Sequence, residues 1–300
     1  KQLLKLASDK TLLEQTMERV QPVVDSIAIS TGRHLEDPIR QVAPDVQLIV
    51  EPDRRDTAAA IGLCATQFDD EDVLVFLPSD AYIHPAERFH EAIRRGVELA
   101  QQGITVIGID PTHASTAYGY IETGEDDRVV AFREKPDEQT AKRYLHEGYL
   151  WNAGIFMVKV SILMDLFARH APQIHEKLLR IRQQDDWEDI FMEMPKISFD
   201  YAVMEKAEDV YYVPAEFYWN DIGSFDALSD ILQGENAVLD GDVIQMDSSG
   251  NVIHTNKTVA LIDCKDLVVI DTEDALLVCP KSSVQKVKQL VEEKITENQK

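Results

Sequence analysis

Two aspartates stand where a carboxylate could do chemistry: Asp80, closing the run Val73-Leu-Val-Phe-Leu-Pro-Ser-Asp80, and Asp221, inside Tyr218-Trp-Asn-Asp-Ile-Gly223. Apolar residues stopped by Pro78 predict a strand buried on both faces, with Asp80 at its carboxyl end. Ligands of open parallel sheets gather beyond the carboxyl ends of the strands, so a carboxylate there is well sited for a cation. Asp221, between a short strand and a glycine, is the second half of a candidate metal pair. Mg2+ suits such a pair, since it prefers oxygen and takes one or two carboxylates together with substrate phosphates.

Four further segments carry polar groups at strand ends. Glu51-Pro-Asp-Arg-Arg-Asp-Thr57 leaves a strand and enters a helix. Such a loop can hydrogen-bond the edge of a base, or it can simply N-cap the helix at Asp56 with Arg54 and Arg55 solvated. Phe132-Arg-Glu-Lys-Pro136 sets Glu134 beside Lys135. Neighbours in a strand face opposite sides, so only one of the two lines a given wall unless Pro136 ends the strand there. Asn152, in Trp151-Asn-Ala-Gly-Ile-Phe156, offers an amide that donates and accepts, as recognition of vicinal hydroxyls requires. Gly119, in Tyr118-Gly-Tyr-Ile-Glu122, permits close backbone approach. The eight histidines show no metal-ligand spacing. Nothing has the form of a nucleophile elbow, and Ser79 lacks a base.

The elements that must position these groups alternate. Thr11 and Glu14 stand at capping-box spacing ahead of a helix to about Val20. Strands are expected at Ile27–Ser30, Val46–Val50 and Ile104–Ile109, and helices at His34–Val42, Thr57–Phe68 and Pro85–Gln102. Tyr118–Glu122 and Val129–Glu134 read as a hairpin laid across the main sheet. Pro136–Glu147 reads as a helix, Trp151–Val158 as a strand, Ser161–Met194 as two or three helices and Phe199–Ala207 as another, before short strands at Val210–Val213 and Glu216–Trp219. This alternation predicts an α/β, Rossmann-like mixed, mostly parallel sheet flanked by helices. Because the chain opens inside the connection to its first helix, the first strand and its loop are expected upstream of Lys1.

From about Ala237 the pattern changes to brief β-branched runs at Asp242–Met246, Asn251–His254, Val259–Asp263, Leu267–Asp271 and Ala275–Cys279. Their intervals suit a short β-coil. We therefore expect a boundary near Leu232–Ala237, dividing residues 1–234 from a small C-terminal β domain, 235–300, closed by a helix over Ser282–Glu297.

Composition narrows the function. Acidic residues outnumber basic ones 54 to 30, a net charge of -24 that disfavours nucleic acid and anionic membranes as partners. Anionic small molecules need a locally positive pocket or a divalent cation. Cys64, Cys264 and Cys279 form neither a disulfide framework nor a zinc pattern, and read as buried thiols of a reducing compartment. No apolar run approaches the roughly 20 residues that cross a bilayer. A cytoplasmic location is the expectation.

Taken in order, eight segments resemble the nucleotidyltransferases that activate sugar 1-phosphates, and most of all the mannose-1-phosphate guanylyltransferases. They are Lys1-Gln-Leu-Leu4, Glu51-Pro-x-x-Arg55-x-Thr57-Ala58, Leu77-Pro-Ser-Asp80, Tyr118-Gly-Tyr-Ile-Glu122, Glu134-Lys-Pro136, Trp151-Asn-x-Gly154-x-Phe156, Asp200-Tyr-Ala-x-x-Glu205-Lys206 and Trp219-x-Asp221-x-Gly223. The resemblance implies that GTP and mannose 1-phosphate give GDP-mannose and pyrophosphate by in-line attack on the α-phosphorus. It implies that Asp80 and Asp221 hold Mg2+ and that Lys1 adds positive charge. It places Glu51, Pro52, Arg55, Asp56, Thr57 and Ser79 with the nucleotide, and Tyr118, Gly119, Glu134, Lys135 and Asn152 with the sugar phosphate. Asp56 stands where the family commonly has Asn, and Ala59 where it has Pro. The alternatives are the same chemistry on another base or hexose, and a non-catalytic sugar-nucleotide-binding subunit. The β appendage suits a homodimer contact or a regulatory role.

Overall fold

The computed structural model describes residues 2, 3, 5, 10–183, 187–222, 236–240, 242–255, 257–271, 275–284, 286, 287 and 290. The chain divides into two compact units, one of Thr16–Ser79 with Ile83–Trp219, the other of Lys1–Gln15, Asp80–Tyr82 and Asn220–Lys300. In order come α1 (Leu12–Val20), β1 (Ala28–Gly32), α2 (Glu36–Val42), β2 (Gln47–Glu51), α3 (Thr57–Ala65), β3 (Val73–Phe76), β4 (Tyr82–His84), α4 (Ala86–Leu99) and β5 (Ile104–Ile109). Then follow β6 (Tyr120–Thr123), β7 (Val129–Arg133), α5 (Glu138–His146), β8 (Leu150–Lys159), α6 (Val160–His170), α7 (Pro172–Ile181), α8 (Trp187–Met192), β9 (Val210–Pro214) and β10 (Tyr218–Asn220). The capping box forms as its spacing requires: Thr11 N–H donates to Glu14 Oε2 at 2.7 Å, and Glu14 N–H donates to Thr11 Oγ1 at 3.2 Å.

The larger unit is built on β8. Strand β5 runs along one edge of it. The other edge is shared, with Phe156–Lys159 paired to β3 and Leu150–Trp151 paired to β6. Beyond these, β7 pairs with β6 and β9 with β5, giving a six-stranded sheet, while β1 and β2 form a separate parallel pair. The sheet is mixed, as expected, but not mostly parallel in its pairing: β5 with β9 is its one parallel pair among the described residues, because β8 runs against all of its neighbours. β3, β5, β6 and β9 run one way, β7 and β8 the other, so β8 is antiparallel to each of its neighbours. Adjacent β8 residues point to opposite faces. Phe156 joins the core made with α3, α6 and α7, whereas Met157 meets Gly96 of α4, so helices cover both faces.

Several expectations need correction. β3 ends at Phe76, and its residues are only half-buried, since β8 is its one partner strand among the described residues. Asp80 thus lies in the turn between β3 and β4. The hairpin β6–β7 continues the main sheet at its edge instead of crossing it, because β6 takes the free half of the β8 edge. Phe199–Ala207 supplies a single π turn, Asp200–Met204, with Glu205 N–H donating to Asp200 O at 3.0 Å. Only Cys64 is buried; Cys264 and Cys279 are half-buried.

The β runs continue as β11 (Ala237–Asp240), β12 (Val243–Met246), β13 (Val252–His254), β14 (Val259–Ile262), β15 (Leu267–Asp271) and β16 (Leu276–Pro280). They coil. Ala237 lies opposite Val252, Val252 opposite Val268, and Val243 opposite Val259, all in parallel, so each turn advances by about 16 residues. Ile253, Leu261 and Val269 fill the interior. Fully buried Asn251 ties the turns together, donating to Cys264 O at 3.0 Å and accepting from Leu267 N–H at 2.9 Å. On a second face Val252 and Val268 pack with Leu12, Ile222 and Val284, joined by Tyr82. A 3-10 turn at Lys281–Ser283 follows β16. Residues 232–235 of the expected boundary and most of the closing helix lie outside the described residues.

Candidate active site

The shared edge of β8 leaves Ala153–Ile155 without a strand partner between β6 and β3, and Gly119, Glu134 and Asn152 collect at this fork. Opposite it, β8 bulges against β5 between Asn152 and Phe156, with Gly154 at φ +70°. Pro78 packs at Gly154, and Gly119 O accepts from Asn152 N–H at 2.8 Å. A Cβ built on Gly119 would stand 2.6 Å from Glu134 Oε2 and 3.4 Å from Asn152 Cβ. Gly119, Glu134 and Asn152 therefore meet at one point. The ring of Tyr118 lies against Trp151 at 4.9 Å and Trp219 at 5.4 Å.

Glu134 and Lys135 do not face opposite sides, because β7 ends at Arg133. Lys135 adopts φ +42° and turns its Nζ to within 3.0 Å of Glu134 Oε1. Glu134 is nearly buried, with 9% of its side chain exposed, and its N–H donates to Glu205 Oε1 at 3.1 Å. Asn152 Oδ1 accepts from Gly154 N–H at 2.9 Å, which leaves its NH2 aimed at Asp200 Oδ1, 3.4 Å away. Burial, with the Glu134 carboxylate beside it, pushes the Asp200 carboxyl up to about 6.

The sequence assigns Asp200 and Glu205 no role beyond the motif that contains them. The reason is periodic. A regular helix places residues five apart on different faces, whereas the π turn, bonding each N–H to the carbonyl five residues back, stacks Glu205 on Asp200. No pattern of apolar residues announces such a turn.

The base-loop candidates sit at the end of β2. Burial raises the Glu51 carboxyl above the ordinary carboxylate range, opposed by a hydrogen bond from Ser30 Oγ at 3.2 Å and by Arg54. Beneath it Cys64 is buried and pushed up to about 11, a packed and unreactive thiol. Asp56 caps α3 by accepting from Thr57 N–H at 2.7 Å, at φ +68° and ψ 177°, a strained backbone conformation that belongs essentially to glycine. Thr57 Oγ1 accepts from Phe199 N–H at 2.8 Å, which joins this loop to the Asp200 turn. Arg55 is not solvated: 17% of its side chain is exposed, and its guanidinium lies 3.7 Å from Asp53 and 3.5 Å from Met194 O. Pro52 lines an open cavity of about 530 Å3 with Gly32, Arg33, His34, Asp53 and Arg54, beyond the ends of β1 and β2. Ser79 O accepts from Thr16 Oγ1 at 3.5 Å.

Asp80 and Asp221 belong to the smaller unit. Asp80 begins the segment that leads into β4, Asp221 directly follows β10, and β4 and β10 pair as a two-stranded sheet. Tyr82 and Ile222 meet in one cluster, so the two aspartates flank the same packing. Asn220 Oδ1 accepts from Ile222 N–H at 2.7 Å, an Asx turn with Asp221 at its centre. Ile222 is held at φ +48°, strained for a β-branched residue. Among the described residues no three His, Cys, Asp or Glu side chains form a metal cage. Two carboxylates without a full protein cage are the donor set that Mg2+ takes when phosphates and water complete its shell. Lys1 and Gly223 lie outside the described residues.

The pattern described as nucleotidyl transferase matches residues 1–237, and that of a mannose-phosphate isomerase/GMP-like β-helix domain matches 241–293. The chain belongs to the nucleotidyl transferase family. Among relatives of this nucleotidyltransferase, a mannose-1-phosphate guanylyltransferase of Escherichia coli is 34% identical over 97% of this chain and 68% of its own length. A xanthan biosynthesis protein of Xanthomonas campestris is 33% identical over the same shares. The crystal structure described as mannose-1-phosphate geranyltransferase from Thermus thermophilus superposes with a TM-score of 0.92 at 36% identity, covering 98% of this chain and 92% of that one. The protein is an enzyme of the sugar-phosphate nucleotidyltransferase type.

Proposed function

We propose that this nucleotidyltransferase joins GTP and mannose 1-phosphate into GDP-mannose and pyrophosphate. An oxygen of the sugar's phosphate attacks the α-phosphorus in line. The new oxygen–phosphorus bond forms as the bond from Pα to the oxygen bridging to the β-phosphate breaks, and pyrophosphate leaves with that electron pair. Two polyanions must meet, so the protein's work is positioning and charge neutralisation.

The observation that carries this reading is the fork of β8, where a glycine without a side chain, a carboxylate and an amide converge on one space. That is the donor and acceptor set of a hexose. Gly119 admits the sugar, Glu134 and Asn152 take its hydroxyls, Lys135 meets its phosphate, and Tyr118 braces the loop. Glu51, Pro52 and the Arg55–Thr57 turn face the base, where carboxylates accept from the N–H groups of guanine, and Ser79 meets the nucleotide. Asp80 and Asp221 hold Mg2+, which when bound neutralises the reacting phosphates. Lys1 adds a further positive charge. The guanine and mannose assignments draw support from relatives that carry those names and match 97% of this chain. Three free thiols fit a cytoplasmic site of action.

The test follows pyrophosphate release from the full-length protein with a panel of nucleoside triphosphates and hexose 1-phosphates. GTP with mannose 1-phosphate is expected to give the highest kcat/KM. A preference for another pair would overturn the substrate assignment while leaving the chemistry intact.

A further inference from the structure

The space around Gly119 holds more acid than two sugar contacts require. Glu134 enters from the end of β7, Asp200 and Glu205 from the π turn, and Asp56 from the cap of α3 adds to the field at Asp200. Lys135 is the cation that opposes them at Asp200, and it is paired with Glu134. A carboxylate in such company is unfavourable unless it has work to do. The work is visible at Asn152.

An amide can be turned either way, so its value in recognition depends on what fixes it. Here Gly154 N–H takes Oδ1 at 2.9 Å and Asp200 Oδ1 faces Nδ2 at 3.4 Å. Both constraints select one orientation. They use one lone pair and one N–H, which leaves one lone pair and one N–H for a ligand. Two adjacent hydroxyls, one donating and one accepting, match that remainder.

We propose that Asp200 is a positioning residue of the sugar subsite, fixing the amide of Asn152 so that it reads a vicinal diol of the hexose. This rests on the sugar-phosphate reading above. An ionised Asp200 only accepts and holds the amide in place. A protonated one carries an O–H that competes for the same geometry, and its titration lies near pH 6. Sugar affinity therefore weakens as pH falls through that range. Glu134, Asp56 and Lys135 are the charged groups that act on Asp200, and they set where the change occurs.

GDP-mannose is the suitable probe, because its diphosphate is doubly esterified and has no protonation step near pH 6 to confuse the result, unlike a phosphate monoester. Its binding to the full-length protein is measured by calorimetry at pH 5 and pH 7.5, beside the KM for GTP. Wild-type affinity is expected to fall several-fold at pH 5. Asp200→Ala is expected to weaken GDP-mannose about tenfold at pH 7.5 with the GTP KM within twofold. Asp200→Asn, which keeps an acceptor oxygen without a charge, is expected to restore most of the affinity and to remove the pH response. Unchanged affinity in Asp200→Ala, an equal loss for GTP, or a wild-type pH response in Asp200→Asn would each overturn the proposal. A wild-type protein that binds no sugar nucleotide and no hexose 1-phosphate at either pH overturns the parent reading, and this one with it.

Discussion

The absent side chain of Gly119 and the carboxylate of Glu134 compete for one volume: a Cβ at residue 119 would lie 2.6 Å from Glu134 Oε2. Only glycine lets that carboxylate stand where it does.

Gly119→Ala should therefore act on function before stability. The clashing atom is the tip of a flexible side chain, so Glu134 can swing away at a cost of about 1 kcal/mol or less. The expected result is a melting temperature close to wild type with a KM for the hexose 1-phosphate raised about tenfold, seen in steady-state kinetics beside a thermal melt. A large loss of stability with an unchanged KM would show that the glycine serves the backbone alone.

Asp80→Asn and Asp221→Asn each remove a carboxylate while keeping shape. Turnover should fall on the order of 10^2–10^3-fold, the scale of losing an electrostatic stabiliser of the reacting charge. Stability should change by about 1 kcal/mol or less, in line with substitutions outside the core. Pyrophosphate release across a Mg2+ titration measures the first and denaturant unfolding the second. Turnover equal to wild type would remove Asp221 from the metal site.

Asp200 also predicts a pH dependence of stability. Its folded carboxyl, pushed up to about 6, holds a proton that the unfolded chain, near 3.9, has released. Between those values the folded state binds more protons, so this group's contribution to stability falls as pH rises from about 4 to 6. Replacing it with the neutral Asn removes that penalty. Asp200→Asn should be more stable than wild type by about 1–3 kcal/mol at pH 7.5, and the gain should vanish below about pH 4. Urea unfolding at a series of pH values tests the sign; a variant less stable at pH 7.5 contradicts it.

Tyr120 fixes the loop that presents Tyr118 and Gly119. Its buried hydroxyl accepts from Ser115 N–H and donates to Ser115 O, both at 2.9 Å. Tyr120→Phe leaves two buried backbone groups unpaired and should cost about 1–3 kcal/mol. The hexose 1-phosphate KM should rise more than the GTP KM. Equal changes in both would indicate a general loss of folded enzyme.

Much of this protein was legible one element at a time. The capping box of Thr11 and Glu14, the buried run Ile104–Ile109 and the five β runs after Asp242 were local signals, and local periodicity and turn chemistry are what a sequence states directly. β11 was missed because its four residues sit at the change of composition. The strand ending at Phe76 instead of Asp80 shows the limit of an apolar run, which marks burial but not the pairing that defines a strand.

The chain by itself determined the family, the order of its motifs and the identity of the polar residues at strand ends, because those are statements about which side chains are present. The tertiary structure decided which of them meet. Two strands sharing one edge of β8 opened the fork at Asn152, and a π turn set Asp200 and Glu205 against Glu134. Neither arrangement is a property of neighbouring residues. Each arises from hydrogen-bond pairing and packing between segments far apart in the sequence, settled only when the whole core closes.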